Sequence, residues 1–303
     1  MRKTKFLIAL VGAILLPLAA FGQSVYSDTY VIPIAGHTAG ANGTLWMTDV
    51  AITNFSTAPL TVQLVVVETG ENITDNIFPL TTDTNSGAVT VAGNSTLLLR
   101  DLFNTYRGRQ NTTGALILGG DAPFAVTARI YNGGPGGNSV GQTVTPARDF
   151  LENSTGRSDN SAVAYLPGLV NNATARTNIG FLAGTGSAAG GAMVVQVTLK
   201  NASGQTLGTR SVTIPAGNFT QTQFSAASIS NTPFDIGSAE VRIVAGSGTV
   251  VPYASVVDNA SGSAAYIMGQ FPPSTPITGS SISRSSIFRD LLNAVASSNR
   301  SNQ

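Results

Sequence analysis

The chain has 303 residues with 16 basic and 15 acidic side chains, so its formal net charge is +1 and charged residues make up only 10% of it. It contains one histidine and no cysteine. Disulfides, thiolate chemistry and cysteine-based metal sites are therefore excluded, and stability has to come from burial.

At the start, Arg2, Lys3 and Lys5 precede the apolar run FLIALVGAILLPLAAF and the small residues of AAFGQ. That is the pattern of a secretory signal peptide, assigned to residues 1–22 with cleavage after Gly22. Its removal leaves 13 basic against 15 acidic residues, a net charge of −2. The basic balance thus belongs to the export signal, which makes nucleic acid and anionic membrane poor partners. No membrane span is expected after signal removal. The mature chain is expected outside the cell or at its surface, with the periplasm as the alternative.

From there on, runs rich in Val, Ile, Thr and aromatic residues are broken roughly every eight to twelve residues by Gly, Asn, Asp or Pro, the punctuation of an all-β sandwich. LTVQLVVVE (residues 60–68) alternates over its first half and is then continuously apolar, as suits a strand in the middle of a packed sheet. RDLFNTY (100–106) predicts a helical turn between two strands. AMVVQVTLK (192–200) alternates cleanly, with Val195, Val197 and Leu199 on one face, and NASGQTLGTRSVTI after it reads as a hairpin turning at Ser203–Gly204.

Three stretches recur in the same order. Thr48-Asp49 matches Thr177-Asn178 at an offset of 129, Asn94 matches Asn218 at 124, and Asn132 matches Asn259 at 127. Small drifts in offset are what loop insertions between fixed strands leave behind. The expected fold class is all-β, with two tandem Ig-like β-sandwich domains from an internal duplication. The first is assigned to residues 23–148 and the second to 162–273, joined by a polar linker at 149–161. Residues 274–303 form a Ser/Pro-rich tail with a short helix, in which Ile287, Leu291, Leu292 and Val295 share one face.

IPIAGHTAGANGTLWMTDVAITN, RIYN with GGNSVGQ, YLPGLVNNATARTNIGF and YASVVDNASG resemble the recurring motifs of secreted tandem β-sandwich repeat proteins from Acidobacteria and relatives. The resemblance covers nearly the whole mature chain. It implies an exported β module and brings no assigned activity. This sequence departs from the pattern at TLWMTDV, which lacks a basic residue beside the Thr, and at SGSAAY, which lacks an acidic residue and a Pro.

For chemistry, His37 is the only residue on which a Ser/His/Asp hydrolase could be built. It sits in a Gly-rich stretch with no nucleophile elbow near it, and is read as a loop histidine. Glu68 with Glu71, and Asp235 with Glu240, bracket turns or strand ends, where acidic residues serve turn geometry. Trp46 and Tyr131 adjoin Gly-rich loops and are the candidate ligand-binding residues. No cofactor is expected, the alternative being calcium held by Asp49 and Asp258 at strand ends. The expected function is non-enzymatic: a structural or adhesive role at the cell surface or in the extracellular matrix, through avidity of two linked modules. Its partners would be envelope or extracellular polysaccharide or protein, or further copies through edge strands. The alternative is a soluble carbohydrate- or peptide-binding accessory module, and a hydrolase stands third.

Overall fold

The computed structural model describes residues 27–40, 43–70, 88–134, 140–147, 151–153, 163–185 and 191–271. The assigned signal peptide and C-terminal helix lie outside them. The described chain is nearly all β. In order, its strands are β1 (Ser27–Ala39), β2 (Leu45–Asn54), β3 (Leu60–Glu68), β4 (Ala88–Val91), β5 (Ser95–Leu99), β6 (Thr112–Asn132), β7 (Gly141–Val144), β8 (Leu151–Asn153), β9 (Val163–Asn171), β10 (Ala175–Gly184), β11 (Met193–Asn201), β12 (Thr206–Ile214), β13 (Phe219–Ser225), β14 (Phe234–Ala245), β15 (Gly248–Asp258) and β16 (Ala264–Met268), with a short α-helix, α1 (Leu102–Arg107), before β6 and a 3-10 turn (Ala226–Ser228) after β13.

Strands β1 to β7 form one hydrogen-bonded system. Its continuity comes from β6, whose 21 residues serve two layers, and from the pairing of the end of β1 with the start of β2. Its first half pairs with β3 and β1, and its second half with β2 and β7. The strand changes layer near Gly120, where a Cβ would lie 2.8 Å from both the Phe124 ring and the Ala122 carbonyl. The layers have the orders β4-β3-β6-β1 and β5-β2-β6-β7. They enclose one core, with Ile32, Leu64 and Leu118 from the first layer and Ile52, Leu99 and Ile130 from the second.

Strands β9 to β16 follow the same pairing scheme as two separate sheets, β12-β11-β14-β9 and β13-β10-β15-β16. The change of layer is here a turn between β14 and β15, with Gly246 at φ +74°. Leu166, Val197 and Val241 face Ile179, Phe181 and Ala254 across this second core.

The continuous half of LTVQLVVVE now has a cause. Leu64 and Val66 face the first core, while Val65 and Val67 point the other way. There, with Val31 and Ile117, they meet Leu182 and Val251 of the second sheet pair. A strand covered on both faces cannot alternate. Each such side chain removed from water contributes about 1.5–3 kcal/mol. Hydrogen bonds cross the same boundary: the Gly70 N–H donates to the Gln221 carbonyl at 3.1 Å, and the Ser255 hydroxyl to Gln142 Oε1 at 3.1 Å.

Local elements follow their sequence cues. β11 is buried at every second position, and its hairpin turns with Gly204 at φ +80° while the Asn201 side chain accepts from the Ser203 and Gln205 N–H groups. α1 falls on the expected turn and ends in a left-handed Gly108, whose N–H donates to the Asn104 carbonyl. Two expectations need correction. His37 is a buried residue of β1, in register with Thr112, because the Gly-rich segment extends the strand through His37 before it turns. Within the stretch read as linker, residues 151–153 form β8 and pair with the start of β15, whose edge β16 leaves open there.

Candidate functional site

Alternation along β10 buries Thr177, Ile179 and Phe181 on one side and turns Arg176, Asn178 and Gly180 toward the first sheet pair. On the neighbouring β15, Tyr253 stands directly opposite Gly180. A Cβ on Gly180 would come within 2.4 Å of the Tyr253 ring, so glycine is what lets this tyrosine lie flat across the sheet. The ring inserts into the first core, stacks on Tyr266 at 6.2 Å, and its hydroxyl accepts from Gln221 Nε2 at 2.7 Å. Burial holds the Tyr253 phenol well above the usual tyrosine range. Gln221 in turn accepts a hydrogen bond from the Thr69 hydroxyl of the first sheet pair.

Above this closed floor, where the two sheet pairs diverge, lies a groove. One hollow of about 160 Å³ is walled by Ile34, Trp46 and Ile130 on one side and by Arg176, Asn178 and Tyr253 on the other. An adjoining hollow of about 240 Å³ shares Trp46 and Arg176 and is completed by the turn at 259–262. Each is smaller than the roughly 300–1,000 Å³ of a typical small-molecule site, as suits an open groove. Trp46 is half-buried against the first core, and its indole edge overlies Gly40, where a Cβ would come within 2.3 Å of Nε1. Arg176 Nη1 donates to Asn259 Oδ1 at 2.8 Å. Among the described residues, the Asn178 amide and the Trp46 indole N–H have no hydrogen-bond partner.

The other expected residues are elsewhere. Tyr131 lies outside the groove lining, with its hydroxyl donating to Asp49 Oδ1 at 3.1 Å and the Arg129 guanidinium 5.2 Å from its ring. Burial, then the Asp49 charge, raises its pKa above the ordinary tyrosine value. Asp49 also accepts the Asp101 N–H at 2.9 Å. Asp258 sits in the β15–β16 turn and accepts from the Ala260 and Ser261 N–H groups and the Ser261 hydroxyl. The Ser261 backbone bond leads in holding its carboxyl below the usual range. Asp49 is thus occupied in the middle of β2, not at the strand end expected of it, and Asp258 in a turn, and among the described residues no group of three or more His, Asp or Glu converges on a metal position. His37 Nδ1 lies 2.7 Å from Asp101 Oδ1, and Asp101 Oδ2 accepts from Asn104, which ties the start of α1 to β1.

Trp46 is therefore the one expected ligand-binding residue that lines the groove. Arg176, Asn178 and Tyr253 lie in stretches that stand out as recurrent motifs, but nothing in those stretches marks them as ligand-binding residues. The legible signal is an arginine and an asparagine alternating with the buried Thr177 and Ile179 on a strand that is apolar from Ile179 on.

No family model and no curated protein matches the chain. Among solved structures it is similar, weakly, to the Gx strain of infectious bursal disease virus, with 10% identity and a TM-score of 0.23 over 90% of this chain and 83% of that one. It is also similar to Bacteroides uniformis β-glucuronidase 2 bound to cyclophellitol-6-carboxylate aziridine, with 10% identity and a TM-score of 0.18 over 74% of this chain and 24% of that one. Likeness at this level assigns the chain to no family.

Proposed function

We propose that this is an exported, non-enzymatic binding protein of the cell surface or extracellular matrix, built from two Ig-like sandwiches by internal duplication, which holds its partner in the groove between them. Three paired details support the duplication. Thr48 exchanges hydrogen bonds with both the N–H and the carbonyl of Gly36, and Thr177 does the same with Val170. Leu116 lies between Val66 and Ile32, and Ala239 between Leu199 and Leu166. Ala147 closes the edge of the first strand by a two-bond bridge to Val31, as Gln270 does to Tyr165. On this register IPIAG and LPGLV are equivalent, with Pro33 matching Pro167.

The observation that carries the binding role is the meeting of Trp46 and Arg176, one from each of the two repeated stretches, in one groove. Two modules sealed by an apolar boundary share a single site, so contact through the groove replaces avidity of flexibly linked modules as the mechanism.

Fractionation of producing cells into medium, washed envelope and chelator-washed envelope tests this reading. Retention of the mature chain on the envelope is expected, and its loss in Trp46→Ala with folding intact. Recovery of wild-type protein only as free monomer in the medium overturns the surface role.

A further inference from the structure

Resting on the groove reading above, we propose that the groove takes an acidic saccharide, with the carboxylate of the sugar at Arg176 and its ring against Trp46. Arg100, Arg109, Lys200 and Arg242 each have a carboxylate partner within the chain. Arg176 instead donates to the neutral amide oxygen of Asn259, and no Asp or Glu lines either hollow among the described residues. A guanidinium left unneutralised in a recess favours an anion, and its planar fork matches a carboxylate bidentately.

The rest of the lining selects a polyhydroxylated body for that anion. The Asn178 and Gln223 amides each offer both a donor and an acceptor, as sugar hydroxyls require, and the Trp46 indole N–H adds a donor. Gln223 Oε1 also accepts from the Tyr253 hydroxyl at 3.5 Å, but a purely apolar ligand would bury the Asn178 amide and the Trp46 N–H unpaired, which is costly. The half-buried indole supplies the flat apolar surface on which the C–H face of a pyranose packs. The size of each hollow suits one or two sugar rings entering from an open end.

The test is calorimetric titration of the full mature chain with trigalacturonate, its carboxyl-reduced neutral trisaccharide, and a tripeptide with a free C-terminal carboxylate. The acidic trimer is expected to bind at least about ten-fold more tightly than the neutral one, the size of one charge-assisted hydrogen-bonded contact. Arg176→Gln should abolish that preference, Trp46→Ala should weaken both sugars, and exposed Thr209→Ala should change neither. Equal binding of acidic and neutral trimers that still depends on Trp46 overturns the acidic class but leaves the groove standing. Binding indifferent to both groove variants overturns the groove as well. A tripeptide that binds as tightly as the acidic trimer, or no binding of that trimer, overturns the saccharide.

Discussion

The outer face of the β4-β3-β6-β1 layer and the outer face of the β12-β11-β14-β9 sheet occupy matching places in their sheet pairs, yet their surfaces are opposites. The first presents Val31, Val65, Val67 and Ile117, buried against β10 and β15. At the corresponding register positions the second presents Tyr165, Thr198, Lys200 and Glu240, with Lys200 Nζ 2.6 Å and Arg242 Nη2 3.5 Å from the Glu240 carboxylate. Inward-facing residues are apolar in both. The scaffold therefore asks for the same core twice, and only the outer positions record which face is covered by a neighbour.

Exchanging the residues at one matched position breaks the comparison most sharply. Ile117→Glu places in the first layer what the second carries at 240, and buries a carboxylate without a partner. A loss of about 3–5 kcal/mol is expected in denaturant unfolding. If the loss is under about 1 kcal/mol, the apolar boundary is not closed in solution.

Thr48→Val and Thr177→Val probe the feature shared by both units. Each leaves a backbone N–H and carbonyl without their buried partner, with an expected cost of about 1–3 kcal/mol. Similar losses at the two sites fit equivalent scaffolds, and a loss at one alone argues against equivalence.

Tyr266→Phe acts on the second unit's covered side, where the Tyr266 hydroxyl is buried without a hydrogen-bond partner among the described residues. Removing it should raise stability by about 1 kcal/mol, read as a higher Tm. A lower Tm would mean that the hydroxyl is satisfied in solution.

Glu240→Ile, the reverse exchange, should cost less than Ile117→Glu, about 1 kcal/mol, because its ion pairs are only partly buried and the new side chain is apolar. The Lys200 hydrogen bond, then the Lys200 and Arg242 charges, hold the Glu240 carboxyl below its ordinary value. Its folded pKa is thus lower than its unfolded one, so its contribution is complete above about pH 4.3 and is lost as the pH falls through the folded value. The Tm difference between wild type and Glu240→Gln should accordingly shrink from pH 6 to pH 3. A difference that persists at pH 3 would assign the effect to packing.

Strand positions were legible where one face is wet. β11 alternates because its outer residues Gln196, Thr198 and Lys200 are only partly covered. The helical turn at α1 was legible from Leu102 and Phe103, both fully buried. His37 was misread because a Gly-rich string signals a turn without stating where the strand stops, and the register with Thr112 carries the strand through it. Among the groove residues, Trp46 stood out as a lone tryptophan beside glycines. Arg176 and Tyr253 did not, since their importance depends on residues far away in the chain, such as Trp46, 130 positions before Arg176.

By itself, the sequence determines the alternation of apolar and polar residues, the turn chemistry and the recurrence of three stretches, because each is a local or periodic property of the chain. Tertiary structure alone decides that the two sheet pairs meet through Val65, Ile117, Leu182 and Val251, and that Trp46 and Arg176 wall one groove. Those are contacts between distant segments, and an apolar residue facing outward from its own sheet has no local mark of the surface that will cover it.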